Sequence, residues 1–120
     1  MMGGMAGEML GVMVLGGVGS VLRWGVSSWV GGEWGTVVVN WIGSLLMGLV
    51  MGYCERRGVG YSPMVVAGLL GGFTTFSALS RDVVLLAKKS VWLGGGMAVV
   101  TMVGGIVCAW GGYLVTKSIH

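Results

Sequence analysis

The amino-acid sequence predicts an all-α integral membrane protein with four transmembrane helices. The chain has 120 residues, of which 55% are hydrophobic and only 9% are charged, and its mean hydropathy is +0.91. Too few polar side chains remain to cover a soluble globule of this size. Because a membrane helix needs about 20 apolar residues, the chain has room for about four spans and for no additional soluble domain.

Charged residues and turn-forming residues divide the chain into four apolar stretches within a single domain. The approximate spans are residues 9–30, 34–54, 63–87 and 91–115. Pro63 suits the first turn of the third helix, since an N–H at that position has no partner within the helix. Residues 1–10 carry Glu8 and no basic residue, unlike the start of a signal peptide. We therefore expect the first stretch to be retained as a span.

Glycine supplies 26 of the 120 residues and lies inside the apolar stretches without a collagen-like period. In lipid, small residues allow helix backbones to approach closely, so we expect tightly packed helices and a tight oligomer. Two helix faces have the required spacing. They are Ser44, Gly48 and Gly52 in the second span, and Gly104, Cys108 and Gly112 in the fourth.

The basic residues give the chain almost no preferred orientation in the membrane. They are Arg56, Arg57 and Lys117 on the side of the two termini, and Lys88, Lys89, Arg23 and Arg81 on or towards the opposite side. An excess of Lys and Arg normally marks the cytoplasmic side. The near balance therefore predicts that the chain inserts both ways up, and that two subunits pair as an antiparallel, dual-topology dimer.

A segment in the middle of the third span, residues 68–80, favours a broken helix. Gly71 and Gly72 give the backbone freedom, and the nearby hydroxyl groups compete for backbone partners. These hydroxyl residues are Thr74, Thr75, Ser77 and Ser80. A break at membrane depth frees N–H and C=O groups, which must then face protein, an ion or trapped water. The alternative is a continuous helix whose hydroxyls bond preceding carbonyls.

Two further polar side chains lie deep in predicted spans. Asn40 has Thr36 one helical turn before it on the same face. An amide in hydrocarbon costs free energy unless it is bonded, so Asn40 is expected to face another helix or a watery path. Placing the charged Arg23 side chain in hydrocarbon costs more free energy than placing an amide there. Three roles are open for Arg23: to neutralise a carboxylate, to reach the headgroups, or to concentrate anions at a pore mouth.

Three motifs in this order resemble the CrcB/Fluc family of fluoride channels, and the resemblance covers nearly the whole chain. The motifs are GVGSVLR at residues 17–23, GTVVVN at residues 35–40 and GGFTTFS at residues 71–77. The resemblance implies a passive, fluoride-specific channel of the cell membrane. It also implies a dual-topology dimer with two antiparallel pores and a central sodium ion that is structural and is not transported.

The same resemblance implies the site residues. Sodium would bind the backbone carbonyls of Gly71 and Thr74. The fluoride pathway would comprise Asn40, Thr36, Thr75, Phe76 and Ser77, with Arg23 near the vestibule. The chemistry is suitable, because a tightly hydrated anion needs strong donors, and the positive edge of an aromatic ring adds a weaker site. The expected partners are fluoride, sodium and membrane lipid.

One position departs from the family pattern. Three residues after Phe76, where the family has a second phenylalanine, this chain has Leu79, and Ala78 replaces the usual threonine. A leucine has no quadrupole to offer an anion. Either one pore is impaired, or the chain pairs with a paralogous subunit. A homodimer, a heterodimer and a non-conducting partner subunit therefore all remain open.

Other functional classes fit less well. A proton-coupled exporter similar to the small multidrug resistance transporters needs a glutamate deep in the first span, whereas Glu8 lies at its start. A non-transporting assembly subunit would conduct no ions. An enzyme is not expected, because the sequence has no cluster of metal ligands and Asp82 is expected to pair with Arg81. The basic residues are scattered, so nucleic acid is not an expected partner.

Overall fold

A computed structural model describes residues 2–118 as four long helical spans. The first two are α1, Met2–Val30, and α2, Gly32–Arg57. The third consists of a π-helical segment, Met64–Leu70, a short helix α3, Gly71–Phe73, and α4, Phe76–Lys89. The fourth is α5, Val91–Ser118. Each span is long and apolar enough to cross a membrane, so the predicted all-α architecture with four spans is confirmed.

Glycines end α1 and α2, because both turns use left-handed backbone angles. Gly31 has a φ angle of 80° and Gly32 one of 60°, which residues with a Cβ rarely adopt. Gly58, with a φ of 68°, closes α2 in a Schellman motif, in which the Val59 N–H bonds the Cys54 carbonyl oxygen at 3.0 Å. The chain therefore reverses direction at the end of each helix.

The third span is interrupted at Thr74 and Thr75. Both residues have extended backbone, with ψ angles of 151° and 123°. The predicted interruption is present, but it lies after the glycine pair, because Gly71 and Gly72 remain helical. The break divides the span between two neighbours: its first half packs mainly on α1, and α4 packs mainly on α5. Helix α2 contacts both halves.

A glycine seam joins α2 to α5, the most extensive helix pair in the described structure. A Cβ added at Gly48 would collide with the Ala109 carbonyl oxygen, and one at Gly52 would collide with the Tyr113 carbonyl oxygen. In the opposite direction, a Cβ at Gly112 would lie 2.9 Å from the Leu49 nitrogen. The small-residue faces predicted for the second and fourth spans thus meet each other within one subunit.

A second glycine seam joins α1 to the first half of the third span. A Cβ at Gly72 would collide with the Gly16 carbonyl oxygen, and a Cβ at Gly19 would lie 2.9 Å from the Phe73 nitrogen. The backbone of α1 is therefore in direct contact with the residues that precede the break. Arg23 lies one helical turn after Gly19, on the same face of α1.

Gly112→Ala is expected to destabilise the protein by about 1–3 kcal/mol, because the added methyl group has no room against α2. The measurement is the thermal unfolding of the purified protein in detergent. Gly111→Ala is the matched control, since a Cβ at Gly111 meets nothing within 4 Å. That control should unfold at the wild-type temperature or above it, because alanine favours helix over glycine. Equal destabilisation by both changes would contradict the seam.

Candidate functional site

The Asn40 side chain on α2 forms two hydrogen bonds with the backbone at the break. The Thr75 N–H donates to Asn40 Oδ1 at 2.8 Å, and Asn40 Nδ2 donates to the Thr75 carbonyl oxygen at 3.0 Å. One partner is a donor and the other an acceptor, so together they fix the orientation of the amide. Asn40 therefore faces another helix, as predicted, and its amide group retains a second N–H.

The break redirects two N–H groups away from their helical acceptors. In a continuous α-helix the N–H of residue 75 would bond the Gly71 carbonyl, and the N–H of residue 78 would bond the Thr74 carbonyl. Here the first of these N–H groups bonds Asn40. The second, from Ala78, bonds Thr75 Oγ1 at 3.1 Å, because Thr75 is the N-cap of α4. The carbonyls of Gly71 and Thr74 thus lose the donors that a continuous helix supplies.

The carbonyl of Gly72 receives a donor from a different helix. Arg23 Nε donates to the Gly72 carbonyl oxygen at 3.3 Å. In a continuous helix this oxygen would accept from Phe76, which lies beyond the break as the first residue of α4. The ion pairs within residues 4–118 join Arg81 to Asp82 and Lys117 to Glu55. In this part of the chain Arg23 therefore bonds backbone and does not neutralise a carboxylate.

A groove of about 350 Å³ opens beside the break on the surface of the subunit. The Phe76 ring, which is 75% exposed, forms part of its wall. Thr75 Oγ1 and Ser77 Oγ, on the residues before and after Phe76 in the sequence, lie 3.2 Å apart at an exposed position. The predicted site residues that line the groove are Asn40, Gly71, Thr74, Thr75 and Phe76.

The groove combines two kinds of chemistry. N–H and O–H donors together with an aromatic ring edge suit a small anion. Carbonyl oxygens without their helical donors suit a small cation. Among the described residues, no group of three or more His, Cys, Asp or Glu side chains is placed to hold a metal ion.

Thr36 lies outside this groove and bonds a buried carboxylate. Thr36 Oγ1 donates to Asp82 Oδ2 at 2.6 Å, and the two residues are only 4% and 5% exposed. The other Asp82 oxygen accepts from Arg81 Nε at 3.2 Å, so the predicted charge pair is confirmed. The contact with Thr36 joins residues 46 positions apart. Its only signal in the sequence is a carboxylate placed within an apolar span.

Leu79 reaches both the groove and the apolar core. It is 6% exposed and packs with Val37 and Met97 where α2, α4 and α5 meet. It also contributes to the groove wall. Phe73, the first phenylalanine of the third span, is buried. Phe76 is therefore the one phenylalanine ring that this chain presents at the groove, since the sequence contains two phenylalanines.

The fold and the site define a multi-pass membrane protein whose third span is broken beside a polar groove. A family model described as CrcB-like protein, Camphor Resistance (CrcB), matches residues 10–113. The chain belongs to this family, and the resemblance found in its sequence motifs is confirmed.

Several curated relatives align along most of the chain. Identity is 35% to a protein of Gloeobacter violaceus, over 96% of this chain and 100% of the relative. It is 37% to a protein of Novosphingobium aromaticivorans, over 90% and 91%, and 34% to a protein of Pseudomonas putida, over 82% and 88%. Each of these relatives is named fluoride-specific ion channel FluC. Because the family is one of ion channels, the expectation that the chain is not an enzyme is also confirmed.

Thr36→Val is expected to destabilise the protein by about 1.5–3 kcal/mol, because the change keeps the side-chain shape but removes a donor to a buried carboxylate. Thr101→Val is the matched control. Thr101 is equally buried, at 4% exposed, but its hydroxyl bonds the Met97 carbonyl of its own helix at 2.8 Å. Chemical denaturation of both variants measures the difference. A Thr36 variant as stable as the Thr101 variant would show that the Asp82 contact contributes nothing.

Proposed function

We propose that this chain is a subunit of a fluoride-specific channel that exports fluoride passively across the cell membrane. The observation that carries the proposal is the hydrogen-bonded pair of the Asn40 amide and the Thr75 backbone. This pair keeps the third span interrupted at membrane depth, beside a groove that contains donors and an aromatic ring. The names of the relatives supply the identity of the ion.

Fluoride is small and tightly hydrated, so its pathway must replace water with strong donors. The second N–H of Asn40 and the hydroxyls of Thr75 and Ser77 are such donors. The edge of the Phe76 ring is a weaker one, and weak sites in series allow an ion to leave as well as to enter. Arg23 adds positive charge near the vestibule of this pathway. Thr36, one helical turn from Asn40 on α2, donates its hydroxyl to the buried Asp82, so the proposed pathway does not use it as a donor.

The proposal includes a structural sodium ion held by the carbonyl oxygens of Gly71 and Thr74. Its support is that these two carbonyls are the ones whose helical donors are redirected to Asn40 and to Thr75 Oγ1. Carbonyl oxygens at membrane depth need a partner, because lipid supplies none. A sodium ion would supply that partner and hold the broken backbone in its extended conformation.

A second subunit completes the site in this proposal. The groove and the Phe76 ring lie on the outer surface of the subunit, where lipid would leave the hydroxyls and carbonyls without partners. Packing a second copy over the groove covers these groups, and in an antiparallel pair the carbonyls of Gly71 and Thr74 from both copies surround one central cation. The near balance of basic residues on the two sides favours this dual topology.

Labelling each terminus from both sides of the membrane tests the dual topology. Equal insertion in the two orientations is expected, because the basic residues near the two faces differ little in number. Adding lysines next to one terminus is the control, since a strong charge bias should then fix one orientation. A single fixed orientation of the wild-type chain would exclude the antiparallel homodimer.

Because Leu79 stands where the family has a second phenylalanine, two compositions of the dimer have to be distinguished by experiment, a homodimer and a heterodimer. In a homodimer the two-fold symmetry makes both pores identical, so each would contain one Phe76 ring and one Leu79. In a heterodimer a paralogous subunit would supply the second ring to one pore. The homodimer needs no further component, and it is therefore the first arrangement to test.

Fluoride efflux from liposomes loaded with fluoride tests the channel directly. The wild-type chain should release fluoride, and Asn40→Asp should reduce the rate roughly a thousandfold or more. Aspartate keeps an acceptor for the Thr75 N–H but loses the Nδ2 donor, and its charge would repel fluoride by about 4 kcal/mol at close range. The initial rate of efflux, measured with a fluoride electrode, gives both values.

Leu79→Phe is the companion variant, because it restores an aromatic ring and adds no charge. Its efflux should equal or exceed that of the wild-type chain. Purified chain that passes no fluoride, either alone or with a paralogous subunit, would overturn the proposed function. Uptake of organic cations driven by a pH gradient would instead favour the proton-coupled exporter.

A further inference from the structure

The break removes the helical donors of four successive carbonyls, those of residues 71–74, and the structure treats them differently. The Gly71 and Thr74 carbonyls lose the helical donors that Asn40 and Thr75 Oγ1 take over. The Gly72 carbonyl, which lies between them in the sequence, accepts a hydrogen bond from Arg23 Nε at 3.3 Å. The Gly72 carbonyl, one of these four, therefore has a partner from another helix.

Arg23 is held in place for this contact by the packing of α1. The α1 backbone packs directly against this segment: a Cβ at Gly72 would collide with the Gly16 carbonyl oxygen, and a Cβ at Gly19 would lie 2.9 Å from the Phe73 nitrogen. Arg23 follows Gly19 by one helical turn and is only half-buried. Its Nε atom therefore reaches the Gly72 carbonyl from a rigid base, while the rest of the guanidinium retains donors for other groups.

We infer that Arg23 is a positioning residue for the break, acting through its hydrogen bond to Gly72. By occupying the Gly72 carbonyl, Arg23 prevents this oxygen from competing with the carbonyls of Gly71 and Thr74 for the cation. The part of the inference that concerns the cation rests on the proposed function. The competing explanation is that Arg23 acts only by its charge, which would attract anions to the groove.

Three substitutions separate the hydrogen bond from the charge. In Arg23→Gln the amide nitrogen is the same number of bonds from Cα as the arginine Nε, so the donor is kept and the charge is lost. Arg23→Lys keeps the charge but places its nitrogen one atom further along the side chain. Arg23→Met keeps an unbranched chain of similar length and loses both properties. None of the three changes the glycine seam that anchors α1.

The first measurement is hydrogen–deuterium exchange of the backbone amides of residues 71–78 in the full-length protein. Arg23→Met should exchange roughly tenfold faster than wild type in this segment, as expected for the loss of one charge-assisted hydrogen bond. Arg23→Gln should stay within about twofold of wild type. Wild-type exchange in the methionine variant would overturn the inference. A glutamine variant that exchanges fast while the lysine variant remains protected would also overturn the inference. If the methionine variant does not fold, the comparison of the glutamine and lysine variants decides the question.

The second measurement is the increase in unfolding temperature when sodium replaces N-methylglucamine in the buffer. Wild type and Arg23→Gln should show this increase, and Arg23→Met should lose most of it. A methionine variant that keeps the full increase would overturn the statement about the cation. If wild type itself shows no increase, the proposed sodium site is wrong, whereas the exchange experiment still decides the role of Arg23. Absence of fluoride efflux in wild type would count against the proposed channel alone.

Discussion

A peptide group in the middle of a membrane must find a hydrogen-bond partner, because lipid offers none and each unsatisfied group costs several kcal/mol. The third span meets this constraint at Thr74 and Thr75 without continuing its helix. The carboxamide of Asn40 presents one donor and one acceptor to Thr75, as a neighbouring strand would. One side chain on α2 thereby makes an extended backbone conformation tolerable at this depth, and the rest of the site depends on it.

The surrounding helices determine which groups at the break stay available. Thr75 caps α4 with its own hydroxyl, Arg23 bonds the Gly72 carbonyl, and the carbonyls of Gly71 and Thr74 lose their helical donors. The aromatic ring of Phe76 is held outwards, since it begins α4 directly after the extended residues. The polar surface suited to ions thus arises from how the backbone N–H and C=O groups at the end of α3 and the start of α4 are hydrogen-bonded. It contains few charged side chains.

The sequence predicted the architecture well and the pairing of polar groups poorly. Hydropathy alone located four spans, because the length of apolar runs is a local property. The interruption was also predicted, but the prediction wrongly attributed it to the glycine pair. Gly71 and Gly72 remain helical, and Gly72 allows α1 to approach closely, whereas Thr75, a favourable N-cap residue, marks the start of the second half.

The side-chain partners could not be predicted in the same way. Asn40 with Thr75, Thr36 with Asp82 and Arg23 with Gly72 each join positions more than 30 residues apart, as the sequence separations of 35, 46 and 49 show. Periodicity within one helix indicates which face is polar, but it contains no information about which neighbour that face meets. Small-residue spacing had the same limit: it identified the seams on the second and fourth spans, and only the structure shows that they pack on each other.

The seam between α2 and α5 also bears on how the protein is made. It joins the second span to the last one, so this contact cannot form until synthesis has delivered the final helix to the bilayer. Until then the glycine face of α2, and the Asn40 amide on the same helix, have only α1 and the third span as neighbours. Backbone surfaces without long side chains have no rotamers to order, so the late docking of α5 requires little rearrangement of the helices already inserted.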